Sequence, residues 1–220
     1  MKSQASALPR YSLYEEIANS ITHGIGIIFS IAGLGVLTSF ASTFGSVWHI
    51  VSCSIYSGTM ILLYSISTLY HSIPGEKTKA VFRVLDHSSI FLLIAGTYTP
   101  ITLVCLRGPL GWTIFGSIWG LAVLGILLEI FLPKKLRYIT IGLYVIMGWT
   151  IILAVKPMLS SVPPGGLWLL LIGGLWYTFG IPFYIWRSLP FNHAIWHLFV
   201  LGGTIFQFFA ILLYVVPVYT

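Results

Sequence analysis

Apolar residues fall along this chain in seven blocks, roughly 17–41, 47–70, 86–106, 110–131, 137–156, 167–187 and 194–217. A helix needs about 20 apolar residues to cross the hydrocarbon core of a bilayer. The alternation of a membrane-barrel strand is absent, and the blocks are too long for one. The breaks at 42–46, 71–85, 107–109, 132–136, 157–166 and 188–193 carry turn residues or charges. The pattern predicts an all-α fold: a seven-transmembrane helix bundle forming a single integral membrane domain over residues 1–220. Because every connection is short, consecutive helices should be antiparallel neighbours.

Composition agrees with this pattern. The 220 residues are 57% hydrophobic and only 7% charged, against about 25% charged in soluble domains. Mean hydropathy is +0.96, which excludes a soluble monomer. Residues 1–16 are polar and no small-residue cleavage site follows the first apolar block, so the chain should keep its whole length. Cys53 and Cys105 both fall in apolar blocks and read as buried thiols, not as a disulfide or metal pair.

The net charge of +6 changes meaning once it is placed on the seven spans. Numbering the loops alternately, one side holds Lys2, Arg10, Lys77, Lys79, Arg83, Lys134, Lys135, Arg137 and Arg187. The other holds only Arg107 and Lys156. Lys and Arg collect on the cytoplasmic side of short loops. The asymmetry therefore puts the N-terminus in the cytoplasm and, after an odd number of spans, the C-terminus outside. Anionic headgroups account for the basic excess, so no nucleic-acid partner is needed. Membrane lipids are the expected partners.

The remaining polar residues share one depth. Span two ends with Ser67-Thr68-Leu69-Tyr70-His71, span three begins with Asp86-His87-Ser88-Ser89, and span seven begins with His193-Ala194-Ile195-Trp196-His197. Span one begins with Glu15-Glu16-Ile17-Ala18-Asn19 and reaches His23. Five of the six histidines thus fall near the inner face, and only His49 belongs to the outer one. Polar side chains inside a bilayer are costly and usually functional. His193 and His197 are four residues apart, so on a helix they share a face about 6 Å apart. With His71 they make three imidazoles, which leaves one position open on a tetrahedral zinc ion, the pattern of catalytic zinc. Such a metal makes an activated water available at neutral pH, and a nearby carboxylate handles its proton. Asp86 is the best-placed carboxylate, although it can also cap span three. Ser67 lies one turn before His71, where it can donate to a substrate oxygen or orient a neighbour. His87 points about 100° away from Asp86 on a helix and reads as second shell or packing. Glu16, Asn19 and His23 share a face of span one and can line the cavity. Glu129 reads as an interfacial charge beside Lys134 and Lys135.

These motifs resemble the hemolysin III family, within the progestin and adiponectin receptor superfamily. The likeness rests on Glu15-Glu16-Ile17-Ala18-Asn19 with His23, on Ser67-Thr68-Leu69-Tyr70-His71-Ser72-Ile73-Pro74, on Asp86-His87-Ser88 with Ala95-Gly96-Thr97-Tyr98-Thr99-Pro100, and on Asn192-His193-Ala194-Ile195-Trp196-His197. It implies seven helices with the N-terminus inside. It also implies Zn2+ held by three histidines, here His71, His193 and His197, with the superfamily's serine and aspartate at Ser67 and Asp86. The chain departs from the receptor branch in having no long N-terminal region, which argues against a hormone-receptor role. The size and motifs point to a bacterial inner membrane. Three functions follow as expectations: a zinc-dependent lipid amide or ester hydrolase related in kind to ceramidases, a cytolytic pore, or a regulator of membrane lipid and energy state with structural zinc. A pore should show polar stripes through whole spans, yet spans four to six are almost wholly apolar.

Overall fold

A computed structural model of the chain describes residues 11–133, 136 and 138–217. Lys2, Arg10, Lys134, Lys135 and Arg137, used above for orientation, lie outside the described residues. The described chain is helical throughout, and seven helical segments are long and apolar enough to cross a membrane. They are α1 (Leu13–Phe44), α2 (Val47–Ser72), α3 (Glu76–Pro100), α4 (Pro109–Phe131), α5 (Tyr138–Trp149) continued by α6 (Val155–Ser161), α7 (Pro164–Ile185) and α8 (Asn192–Ala210). The chain is a multi-pass integral membrane protein.

The largest difference from the apolar pattern is at α3. It begins at Glu76, ten residues before the apolar block, so most of the expected loop 71–85 is helix. Only Ile73, Pro74 and Gly75 connect it to α2. Gly75 has φ of 109°, a left-handed turn that a side chain resists. Asp86 therefore sits well inside α3 and does not cap it; Gly75 is the N-cap. Charged first turns hide a helix start from a hydropathy pattern because they lie beyond the apolar stretch.

Helix α1 shows how the bundle is held. Its buried residues are Asn19, His23, Gly26, Ser30, Gly33, Leu37 and Ala41, a stripe repeating every three or four positions. The opposite face, with Ile21, Ile25, Ile28, Phe29 and Val36, is exposed. Small and polar residues point inward and large apolar ones outward, as expected where the surrounding solvent is lipid. A Cβ at Gly26 would come 2.5 Å from the Tyr64 ring, so glycine sets the approach of α1 to α2. Helix α1 packs on α2 and α8, α2 on α3, and α7 on α8. Leu37, Tyr56, Met60, Tyr64 and Val200, with Ile211 from the π-helical turn Ile211–Val215 that continues α8, form the core between α1, α2 and α8. Phe91, Tyr98, Ile118, Ala122 and Met147 form a second core among α3, α4 and α5.

The fifth span is broken between α5 and α6 by a 3-10 stretch, Thr150–Ala154. The break has a side-chain cause. The Tyr98 hydroxyl donates to the carbonyls of Met147 at 2.8 Å and Gly148 at 3.0 Å. It also accepts from the Ile151 N–H at 2.9 Å. One phenol from α3 thus replaces backbone bonds that the helix ladder gives up. Tyr98→Phe should lower stability by about 1–3 kcal/mol, the cost of leaving buried backbone groups unpaired. Thermal unfolding in detergent measures this; an unchanged midpoint would contradict the assignment.

Candidate metal centre

The start of α1, the end of α2, the first half of α3 and the start of α8 meet at one end of the bundle. Each brings its polar residues there for a local reason. Ser12 caps α1 in a reciprocal box with Glu15, its hydroxyl accepting from the Glu15 N–H. The other carboxylate oxygen of Glu15 accepts from the Phe191 N–H at 3.1 Å. Phe191 has φ of 56°, the one non-glycine residue with positive φ among the described residues. The Asn192 amide donates to the Phe183 carbonyl at 3.1 Å, closing the turn between α7 and α8. These contacts fix where α8 begins, and hence where His193 and His197 project.

His71, His193 and His197 are all buried, and each offers a ring nitrogen within 4.8 Å of those of the other two. Ring centroids are 5.0 Å apart for His71 and His193, 5.2 Å for His71 and His197, and 4.5 Å for His193 and His197. This group could hold a metal ion. Asp86, buried on α3, does not fall within the same radius of all three.

Helix α1 supplies no member of that group, yet it sets the tautomers of two. Glu16 Oε2 lies 2.6 Å from His71 Nδ1, so this nitrogen carries the hydrogen and donates. In the neutral ring the lone pair then lies on His71 Nε2, which is buried with no partner among the described residues. Likewise His197 Nδ1 lies 3.2 Å from the Asn19 carbonyl, which can only accept. It is also 3.1 Å from Thr22 Oγ1, whose own hydrogen goes to the Ala18 and Asn19 carbonyls. Nδ1 of His197 is therefore a donor as well, and Nε2 is the free base. A carboxylate or carbonyl behind an imidazole is the usual support of a metal-ligating histidine. Lys79 from α3 pairs with the second oxygen of Glu16 and lies 5.4 Å over the Tyr70 ring. The Asn19 amide rests 3.3 Å from His71 Nδ1.

The donor set fits a metal on independent grounds. Buried polar atoms nearly always have partners. Here His71 Nε2, both nitrogens of His193, both of His23 and the Ser67 hydroxyl have none among the described residues. Unpaired atoms of this kind concentrated at one end call for an ion or a bound molecule. Tyr11 covers the group: its ring stacks on His193 at 5.3 Å and meets His71 edge-on at 5.8 Å. Burial pushes the Tyr11 phenol far above its ordinary range, so it stays neutral.

His87 and Glu129 belong to a different cluster. Glu129 is buried and its Oε1 lies 2.9 Å from His87 Nδ1, which corrects its reading as an interfacial charge. His87 Nε2 is 3.4 Å from the Tyr184 hydroxyl, and Tyr144 donates to the His87 carbonyl at 2.8 Å. A cavity of about 100 Å³ adjoins the pair, lined by Arg83, Glu129, Leu132 and Thr140 among others. The spacing of Glu16, Asn19 and His23 groups them on one face of α1 but does not reveal the bond from His71 to Glu16. It also misses Thr22, which shares the Asn19 face three residues on. A lone carboxylate in the apolar fourth span was the available signal for Glu129.

A family model described as haemolysin-III related matches residues 11–208. The chain belongs to the haemolysin III family. It is 52% identical over 203 residues to "Hemolysin-3" of Bacillus cereus, covering 92% of this chain and 93% of that protein. It is 49% identical over 208 residues to "Hemolysin-3 homolog" of Bacillus subtilis strain 168, covering 94% and 98%. A human haemolysin III relative, "Monocyte to macrophage differentiation factor", is 30% identical over 219 residues, covering 96% and 90%.

If α1 orients the imidazoles as described, Glu16→Gln should weaken metal binding about 10–100-fold, the usual effect of removing such a support. Competition against a coloured chelator measures it. An affinity equal to that of the unaltered protein would contradict the role.

Proposed function

We propose that this chain is a zinc-dependent intramembrane hydrolase that cleaves an amide or ester bond of a lipid, in a bacterial inner membrane with its N-terminus in the cytoplasm. The observation that carries the reading is the buried three-imidazole group, with the Nδ1 hydrogens of His71 and His197 already committed to acceptors on α1. The nine-to-two division of Lys and Arg supports the orientation.

His71 and His197 would hold the ion through Nε2, and His193 would complete the set. Imidazole suits several metals, of which zinc takes three such ligands and keeps a position open. When bound, zinc supplies Lewis acidity and an activated water at neutral pH. Asp86 would hold and return the proton released during hydrolysis. It is buried on α3. The Ser67 hydroxyl, fully buried one turn before His71 and without a partner among the described residues, would donate to the reacting carbonyl oxygen as negative charge builds there. Tyr11 over His71 and His193 would screen the reaction from bulk water, favouring a substrate that arrives from within the bilayer.

Zinc measured by mass spectrometry should be stoichiometric in the unaltered protein and lost from a His193→Ala/His197→Ala form. Equal zinc in both would remove the metal reading. Asp86→Asn should cut lipid hydrolysis by about 100-fold or more, and Ser67→Ala by about tenfold or more, with zinc retained in each. Zinc retained alongside unchanged turnover in both variants would assign the metal a structural role instead.

A further inference from the structure

His23 lies on the buried stripe of α1, one turn beyond Asn19, and only 3% of it is exposed. Its ring stacks on His197 with centroids 3.5 Å apart and planes 12° apart. Tyr64 also meets the His23 ring edge-on, with centroids 5.0 Å apart. Neither ring nitrogen of His23 has a partner among the described residues.

Coordination does not explain these free nitrogens. A histidine binds a metal in the plane of its ring, at about 2.0–2.1 Å. Two parallel rings stacked at this distance send their lone pairs along parallel planes, so an ion in the His197 plane is out of reach of His23. The metal group correspondingly contains His71, His193 and His197 and leaves His23 out. Packing does not explain them either. A phenyl ring would stack on His197 and meet Tyr64 equally well, without two buried polar atoms. An N–H directed at the Tyr64 face would satisfy one nitrogen. The other would still be an acceptor without a donor.

We propose that His23 is a ligand-contacting residue of the metal centre. Its ring nitrogens hold the polar group of the molecule that sits beside the metal, one turn deeper in the span than Asn19. This rests on the metal reading above, and it adds a contact that sets binding of the ligand and not of the ion. The neutral ring supplies one donor and one acceptor, which suits an amide, a hydroxamate or a hydroxyl-bearing carbonyl group.

The test uses the full chain loaded with cobalt(II) and titrated with palmitoyl hydroxamate, followed by the visible cobalt spectrum. His23→Phe keeps the stack and removes the nitrogens; His23→Gln keeps a donor and an acceptor. Both variants should take up cobalt as the unaltered protein does, with the same ligand-free spectrum. Hydroxamate affinity should fall about tenfold in His23→Phe, the scale of a lost buried hydrogen bond, and recover most of that in His23→Gln. Unchanged affinity in His23→Phe would overturn the proposal. Loss of cobalt in His23→Phe would also overturn it, by making His23 a metal ligand. No cobalt uptake by the unaltered protein would refute the metal reading, and the His23 contact with it.

Discussion

A neutral imidazole has one N–H and one lone pair, and in a bilayer neither can turn to water. The Glu16 carboxylate and the Asn19 carbonyl accept the Nδ1 hydrogens of His71 and His197. Those two bonds determine which nitrogen of each ring is left as a base. They tie α1 to α2 and α1 to α8, so the contacts that orient the rings also join three helices at one end of the bundle.

That constraint accounts for the inverted character of α1. Its inner face is Asn19, His23, Gly26, Ser30 and Gly33, and its outer face is isoleucine and phenylalanine. Glycine at 26 lets the Tyr64 ring lie against the helix backbone. The close approach brings Glu16 to His71 and Thr22 to His197. On the far side of the site, Phe191 in its left-handed conformation and the Glu15 bond to its N–H fix the first turn of α8. The centre is thus built between an anchored helix start and an anchored helix end.

Much of this was legible in the residues. Seven apolar runs gave seven helices, and the spacing of His193 and His197 placed them on one helix face. The polar convergence at one depth brought in His71, and the structure gathers these three rings together. What was not legible follows from two physical facts. Hydropathy marks where a helix is in lipid, not where it starts, so the charged opening of α3 was read as a loop and capping of span three stood as an alternative role for Asp86. A sequence also does not show which buried polar residues face each other across helices. The pairing of Glu129 with His87, on a different helix, was therefore missed. Thr22 was overlooked for the same reason, since its role depends on how α1 rotates against α8.

The central claim is that three imidazoles, two of them oriented from α1, meet around one ion. X-ray absorption at the zinc edge of the purified protein tests it most directly. The account predicts about three nitrogen scatterers near 2.0–2.1 Å, with imidazole outer-shell features at longer range, plus one oxygen neighbour. A spectrum with sulfur ligands, with oxygen ligands alone, or with a single imidazole would contradict it.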